Sequence, residues 1–396
     1  MKKVFFGLSG GYGPVQRCLP IAELLKTDGI ESVFSIYGPS SDLIEEMGYK
    51  HFPDDDPTFP KKELIVQPGP MFYNLDHYFA QVGLLDEDFV MAWVYHRINM
   101  LKNIKPDLVV TDLSPQTTIA ARYLNIPIIS ITQSCFHPKG DPIHFWGESP
   151  RNLPKVTPII NRVLKRLSLP PIKRMEDLNS GDVDIVPSFP EIDPIKDAEK
   201  DVFHVGPIEM QFGSRQHKYE DKVPHILVYP GRLHDSSGPT GIKLVRSVIS
   251  AFYNKPEKII IATNEEFDVD QSEISKNITI IPHFTNELLR SSSLYIHHGG
   301  HGSCLSAITN SIPSLIIPTH MEREFNARKV ASLGLGEYML PDTFTSDHLY
   351  KMSKFIIEDL YKKHTTEFLN KMIIRNYKGA EHVLSIIRNT FNGGIK

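Results

Sequence analysis

Cysteine is scarce in this chain of 396 residues, which contains three: Cys18, Cys135 and Cys304. They are far apart in sequence and form neither a Cys-x-x-Cys pair nor a spacing typical of a zinc site. An odd number of scattered cysteines provides no disulfide framework of the kind found in small secreted domains. We therefore expect reduced cysteines and a cytoplasmic location.

Long apolar runs are also missing. No stretch approaches the ~20 consecutive apolar residues of a membrane span. The apolar run that follows Lys2 and Lys3 stops at Ser9, which is too early for the hydrophobic core of a signal peptide. We predict no transmembrane segment, while contact with a membrane surface stays open.

Positive charge is not in excess. The chain has 43 Lys and Arg against 47 Asp and Glu residues, a formal net charge of −4. It therefore lacks the field that attracts a polyanion, which argues against nucleic acid as a partner. Because 41% of the residues are hydrophobic and the length exceeds one ordinary core, we expect a globular protein of two domains.

The most informative segment runs from Leu294 to Ala327. A short apolar strand leads into a glycine-rich turn at 298–302, a helix from about Ser303 and a second buried strand at 314–317. A helix that begins after such a turn directs unpaired N–H groups and a partial positive charge at its N-terminus, which favours phosphate. Glycine in a turn that merely relieves strain is the alternative.

Several side chains of this turn suit a diphosphate. Gly299, Gly300 and Gly302 leave room for it, and His298 and Ser303 can donate hydrogen bonds to it. We assign all five to a donor-binding site.

The whole pattern resembles the donor-binding signature of family 1 glycosyltransferases, which have the GT-B fold. The matching residues are His298, Gly300, Gly302, Ser303, Pro313, Pro318, Glu322, Asn326 and Ala327. The resemblance implies an α/β protein with two Rossmann-like, doubly wound domains that face a cleft. It also implies a nucleotide-sugar donor as co-substrate, no cofactor, and donor-site roles for Glu322 and Asn326.

The resemblance implies the domain organisation as well. We expect an acceptor-binding domain over 1–208, a nucleotide-sugar-binding domain over 223–378 and a C-terminal helix over 379–396 that returns to the first domain. Segment 209–222 is polar and lacks hydrophobic periodicity, which predicts a linker. The last helices are predicted over 346–362 and 366–388.

A second glycine turn, near the N-terminus, departs from the family pattern. Gly11, Gly13 and Arg17 match Gly-x-Gly-His-x-x-Arg, but Pro14 stands where the family carries its catalytic histidine. Proline offers no base and is common in the first turn of a helix. A dinucleotide fingerprint is excluded because Gln16 stands at its third glycine. We assign Gly13, Pro14 and Arg17 to the acceptor side.

Because Pro14 cannot act as a base, the reaction needs another residue for that role. Asp112 lies at the end of a predicted strand over 106–112. Ligands of open α/β sheets bind beyond the carboxyl ends of the strands. Asp112 either acts as the catalytic base or caps the helix that begins near Pro115. The loop that contains His137, His144 and Trp146 is a candidate acceptor wall, and His137 is assigned to the acceptor side, although a loop histidine is often simply exposed.

Three further residues are assigned to the donor site. Arg232 follows a glycine in a second turn and either binds the diphosphate or is solvated. His283 follows Pro282, where the family holds the nucleotide base. Arg323 replaces the glutamine of the family's acidic-Gln pair, which indicates a charged sugar, a contact to the diphosphate or a surface helix residue.

Two Asp-x-Asp matches, Asp182-Val-Asp184 and Asp268-Val-Asp270, resemble the metal-binding pair of the GT-A fold. Two residues at one offset recur by chance. We interpret both pairs as surface acids and predict no metal site.

Ser306 stands where most family members have a Glu that binds the ribose hydroxyls, which makes a dTDP-sugar credible. We predict an inverting, metal-independent hexosyltransferase that uses a UDP- or dTDP-sugar and a small-molecule or lipid acceptor, as a monomer or homodimer. A non-catalytic nucleotide-sugar-binding helper, suggested by Pro14, is one alternative. A nucleotide-sugar hydrolase or epimerase of the same fold, suggested by Arg17, is the other.

Overall fold

Two parallel β-sheets, one in each half of the chain, organise the protein. The structure is a computed structural model that describes all residues except 37–39, 55–58, 68, 70, 144–149, 197–200, 209–223, 235–237, 264, 266, 270–273, 342 and 394–396. The predicted linker over 209–222 therefore lies outside the described residues.

The first sheet consists of β1 (Lys3–Leu8), β2 (Glu31–Ile36), β3 (Lys50–Pro53), β4 (Leu108–Asp112), β5 (Ile128–Ile131), β6 (Val183–Val186) and β7 (Val202–His204). The second consists of β8 (His225–Tyr229), β9 (Lys258–Ala262), β10 (Ile278–Ile281), β11 (Ser292–His297), β12 (Ser314–Ile316) and β13 (Gly336–Tyr338).

The helices of the first half are α1 (Tyr12–Thr27), α2 (Ser41–Glu46), α3 (Leu75–Val82), α4 (Glu87–Ile104), α5 (Pro115–Leu124) and α6 (Thr157–Arg166). Those of the second half are α7 (Thr240–Phe252), α8 (Asn286–Arg290), α9 (His301–Thr309), α10 (Met321–Ser332), α11 (Ser346–Glu358), α12 (Tyr361–Ile374) and α13 (Ala380–Phe391).

The strands form where apolar residues follow one another without alternation. Runs such as Val4–Phe6 in β1, Leu108–Val110 in β4 and Ile259–Ile261 in β9 are fully buried. Such continuous runs are typical of parallel strands that are covered by helices on both faces. The expected α/β architecture with two doubly wound domains is confirmed.

The strand order places one crevice in each sheet. The orders are β3-β2-β1-β4-β5-β6-β7 and β10-β9-β8-β11-β12-β13. The chain order therefore reverses between β1 and β4, and again between β8 and β11. Ligands of open α/β sheets bind at these switch points, beyond the carboxyl ends of the strands.

The C-terminal segment differs from the prediction of one helix over 366–388. Helix α12 ends at Ile374 and α13 begins at Ala380. Asn376 and Gly379 have φ angles of 54° and 52°, left-handed conformations that a continuous helix does not tolerate. The break turns the chain toward the first sheet.

Helix α13 packs against the first half of the chain. Val383 and Ile387 are buried in the same apolar core as Phe6 and Leu19. Arg388 also donates two hydrogen bonds of 2.6 Å to the carboxylate of Asp28, at the end of α1. Within the described part of the chain, no helix combines the length and apolarity needed to cross a membrane.

Candidate active site

The two switch points face each other across a cleft. In the first sheet, β1 leads into the N-terminus of α1 and the adjacent β4 ends at Asp112. In the second sheet, Tyr229 pairs with His297, so the turns after β8 and β11 begin side by side. The guanidinium of Arg232 lies 5.0 Å from the ring centre of Tyr12, which joins the two sides of the cleft.

His297 anchors the glycine turn after β11. Its Nδ1 accepts a hydrogen bond of 3.2 Å from the backbone of Gly299, and its Nε2 lies 3.1 Å from the hydroxyl of Ser314. Burial lowers the pKa of His297 to about 3, so the ring is neutral. The sequence prediction did not include this residue, whose role is to fix the turn.

His298 lies in a space that two glycines create. A Cβ atom at Gly231 would come within 2.9 Å of the imidazole Nδ1, and one at Gly300 within 2.6 Å of Nε2. Burial first, and then the positive charge of Arg323, lower the pKa of His298 well below its usual value. A neutral imidazole donates one hydrogen bond and accepts another.

The N-terminus of α9 is open to a ligand. Its N-cap residue, Gly300, provides no side chain to bond the first N–H groups. Gly302 is exposed, and a Cβ added there would meet nothing within 4 Å. Ser303 is half-buried and hydrogen-bonds the phenol of Tyr295. The first N–H groups of α9 therefore have the properties of an anion-binding site.

Asn326 ties the acidic residue of α10 to this turn. Its amide nitrogen donates to the carbonyl of Gly299 at 3.0 Å and to the carboxylate of Glu322 at 2.7 Å. Burial raises the pKa of Glu322, while the bond from Asn326 and the charge of Arg323 oppose that rise. Two of the predicted donor residues are thus fixed in one orientation beside the turn.

Arg323 faces the same turn. Its side chain is half-buried and donates to the hydroxyl of Thr319. Burial is the main cause that lowers the pKa values of His298 and His320, and the positive charge of Arg323 is the second. The guanidinium is therefore close to the predicted phosphate site rather than directed at bulk solvent.

His283, Phe284 and Arg232 lie in the region where the nucleotide base is expected. His283 is exposed beyond β10. Phe284 is half-buried and packs edge-on against Tyr229, with 5.5 Å between the ring centres. Arg232 is exposed, and Ser236 and Ser237 of its turn lie outside the described residues.

On the acceptor side, Asp112 is held by Arg17. The guanidinium donates from Nε to Oδ2 at 2.5 Å and from Nη2 to Oδ1 at 2.8 Å. Asp112 therefore does not cap the following helix, which begins after Ser114 without a side-chain cap. Pro14 is in the first turn of α1, and Gly13 is exposed beside Arg17.

His137 has no free nitrogen for an acceptor. Its Nε2 lies 2.9 Å from Asp184, and its Nδ1 accepts a hydrogen bond of 3.0 Å from the backbone of Lys139. The side chain is 2% exposed, so the structure gives it a supporting role in the first domain instead of the predicted acceptor-side role. His144 and Trp146 of the predicted acceptor wall lie outside the described residues.

The interpretation of Asp184 as a surface acid is wrong. It is buried within β6, where it also accepts hydrogen bonds from Ser180 and Gly181. Asp270 of the other pair lies outside the described residues. Among the residues that are described, no group of three or more His, Cys, Asp or Glu side chains is arranged to hold a metal ion.

One buried pair was missed by sequence reasoning. His301, the first residue of α9, lies with its Nε2 2.8 Å from Oδ2 of Asp193, in the loop after β6. The side chains of His301 and Asp193 are 6% and 0% exposed. The two residues are 108 positions apart and Asp193 lies in no motif, so nothing in the sequence signals the contact.

Comparison with known proteins agrees with this geometry. Residues 246–384 match the family described as erythromycin biosynthesis protein CIII-like, C-terminal domain. An uncharacterized glycosyltransferase of Methanosarcina mazei is 26% identical over 91% of this chain and 90% of its own length.

Solved structures share the whole fold. CalG4, the calicheamicin glycosyltransferase, superposes with a TM-score of 0.74 at 16% identity and 98% coverage of both chains. Glycosyltransferase VinC, solved in complex with dTDP, superposes with a TM-score of 0.68 at 15% identity and 98% coverage of both chains. Together with the sequence signature and the two facing switch points, these findings show that the chain has the GT-B fold of glycosyltransferases and that its residues 246–384 are similar to the erythromycin CIII-like C-terminal domain.

Proposed function

We propose that the protein transfers a hexosyl group from a UDP- or dTDP-sugar to a hydroxyl group of a small-molecule or lipid acceptor. The observation that carries this proposal is the open N-terminus of α9 at Gly302, beside the carboxylate of Glu322 that Asn326 fixes to the same turn. A diphosphate bound by α9 leaves its sugar next to a strong acceptor of hydroxyl hydrogen bonds.

The proposed transfer needs no metal ion and inverts the anomeric carbon. The departing diphosphate is stabilised by the first N–H groups of α9, by neutral His298 and by the guanidinium of Arg323. This arrangement supplies the positive field that a cation otherwise provides. Direct attack by the acceptor from the opposite side of the sugar gives inversion.

Residue 306 is relevant to which nucleotide the donor contains. Ser306 is half-buried on α9, at the position where most members of the family carry a glutamate for the ribose. A single hydroxyl suits deoxyribose, which has one hydroxyl fewer, and VinC was solved with dTDP. Both facts favour dTDP-sugars over UDP-sugars as donors.

An apolar region favours a partly hydrophobic acceptor. Phe72 and Cys135 of the first half pack with Met321 and Phe325 of α10. The charge of Glu322 acts on Cys135, so this cluster borders the site. The three cysteines are buried free thiols, which supports a reducing, cytoplasmic location.

A second candidate function is a non-catalytic nucleotide-sugar-binding helper. Pro14 removes the usual base, and Arg17 occupies both oxygens of Asp112. A helper needs the donor site but no group that takes a proton from an acceptor.

The test uses the full chain with UDP- and dTDP-sugars in EDTA, with and without a pool of hydroxylated aglycones, and follows free diphosphate. Release that depends on an aglycone, with a product of inverted configuration by NMR, is the expected result. Release without an aglycone would instead identify a hydrolase or epimerase. Binding of the nucleotide without release from any donor would identify a helper.

A further inference from the structure

The reaction requires a group that takes the proton of the acceptor hydroxyl, and the expected groups are occupied. Pro14 has no base, and Arg17 holds both oxygens of Asp112. We propose that His301 is the general base of the transfer and that Asp193 is its positioning residue. This inference rests on the function proposed above.

Three histidines of the described residues pair with an acid, and His301 differs from the other two. In His137 both ring nitrogens have partners, Asp184 and the backbone of Lys139. In His51 they are Glu45 and the carbonyl of Ile36. His301 uses only Nε2, and its Nδ1 has no hydrogen-bond partner among the described residues.

The partner fixes the tautomer of His301. A carboxylate only accepts hydrogen bonds, so Nε2 carries a proton and donates it in a hydrogen bond of 2.8 Å to Asp193. Neutral imidazole then has its lone pair on Nδ1, the nitrogen without a partner. A base oriented by a buried carboxylate is the arrangement that proton abstraction requires.

Asp193 is itself held in place. Its second oxygen accepts a hydrogen bond of 2.9 Å from the backbone of Ser134. Burial alone would raise the pKa of Asp193, but the charge and hydrogen bond of His301 and the bond from Ser134 hold it below its usual value. The carboxylate therefore stays ionised and accepts the Nε2–H hydrogen bond throughout the reaction.

His301 is also next to the place of reaction. It is the first residue of the proposed diphosphate-binding helix, and it lies close enough to Glu322, the proposed sugar ligand, for its imidazolium form to lower the pKa of that carboxyl group. The charged groups around it are Asp193 from the first domain and Glu322 from α10. Beyond Glu322 lie Arg323 of α10 and Arg17 of α1. Two carboxylates thus face the imidazolium that forms.

The proposed step balances as follows. The hydroxyl oxygen of the acceptor forms a bond to the anomeric carbon, and its proton moves to Nδ1 of His301. The bond between that carbon and the diphosphate oxygen breaks, and the diphosphate leaves with the electron pair. The imidazolium keeps its Nε2 hydrogen bond to Asp193 and later releases the Nδ1 proton to water.

The test compares His301→Gln and Asp193→Asn with the wild type in the acceptor-dependent assay. His301→Gln is expected to lower kcat by about 10²- to 10⁴-fold and to remove the acidic limb of the pH–rate profile, with dTDP affinity changed by less than about threefold. Asp193→Asn should lower kcat and alter the acidic limb of the pH–rate profile. The amide can donate a hydrogen bond to Nε2, which favours the tautomer with its proton on Nδ1. His51→Gln, in a pair whose nitrogens are both occupied, is the matched control.

A second variant separates chemistry from folding. His301→Ala removes the ring, and added imidazole is expected to restore part of kcat. The proposal is overturned if His301→Gln keeps kcat within about threefold of the wild type. It is also overturned if kcat, dTDP affinity and Tm fall together and imidazole restores nothing. A wild type that releases no diphosphate from any donor would overturn the proposed function instead, and this inference with it.

Discussion

Arg17 and Asp112 form a two-point ion pair at the carboxyl end of β4, with distances of 2.5 and 2.8 Å. Arg17 is one helical turn after Pro14, so both residues lie on the same face of α1. The guanidinium therefore reaches the carboxylate at the end of β4. The pair keeps the acceptor side ordered and engages both carboxylate oxygens of Asp112.

We expect Asp112→Asn to act mainly on stability. The change leaves a largely buried guanidinium without its counter-charge, which costs about 3–5 kcal/mol when a buried pair is broken. Urea unfolding measures this, and the double variant Arg17→Gln/Asp112→Asn should recover part of the loss. A fall in kcat of about 10³-fold at unchanged stability would instead make Asp112 the base.

Gly231→Ala tests the contact between the two turns of the second domain. The residue has a φ of 73°, and the new Cβ would come within 2.9 Å of His298. Gly48 has a φ of 75° but nothing within 4 Å, so Gly48→Ala carries the backbone strain alone, about 1 kcal/mol. By calorimetry, only Gly231→Ala should weaken dTDP binding. Equal affinities of the two variants would contradict the role of His298.

Glu322→Gln should change the pH dependence of stability. Because burial raises the pKa of Glu322 in the folded state, its stabilising contribution is present below the usual glutamate pKa of about 4.3 and is lost as the pH rises through the raised value. The difference between the two free energies of unfolding, variant minus wild type, should therefore increase from pH 5 to pH 8. Glu358→Gln, at an exposed position of α11, is the control. The same variant should lose transfer activity.

Arg97 and Asp54 provide a test that is independent of the proposed function. Their side chains are 0% exposed and pair at 2.7 Å, and Gln116 also donates to Asp54. Arg97→Met should lower the free energy of unfolding by about 3–5 kcal/mol, because Asp54 remains buried and unpaired. Arg97→Met/Asp54→Leu should be more stable than the single variant in urea. If the double variant is the less stable of the two, the pair does not contribute as described.

Local patterns predicted much of the second domain. The strand predicted at 314–317 is β12 (Ser314–Ile316), the helix predicted from about Ser303 is α9 (His301–Thr309), and the helix predicted over 346–362 is α11 (Ser346–Glu358). In these segments, apolar runs and the turn residues that flank them agree with the tertiary structure, so local and global preferences coincide. The donor residues were predicted for a related reason, since most of them lie in a single β-turn-α-β unit.

Contacts between distant segments could not be predicted. Asp184 has the sequence context of an exposed acid, and only the fold brings it to His137, 47 positions earlier. Asp193 reaches His301 across the two halves of the chain. Burial of a carboxylate depends on such partners, which periodicity and turn chemistry do not reveal.

The most direct test of the account is the affinity of Gly302→Val for dTDP and UDP, measured by calorimetry on the full chain. Because an added Cβ meets nothing within 4 Å, the fold should accept valine with little change in Tm. The new side chain would fill the space in which the diphosphate must lie, so we expect affinity to fall by about 100-fold or more, or ~2.7 kcal/mol. Unchanged affinity at an unchanged Tm would contradict a donor site at the N-terminus of α9.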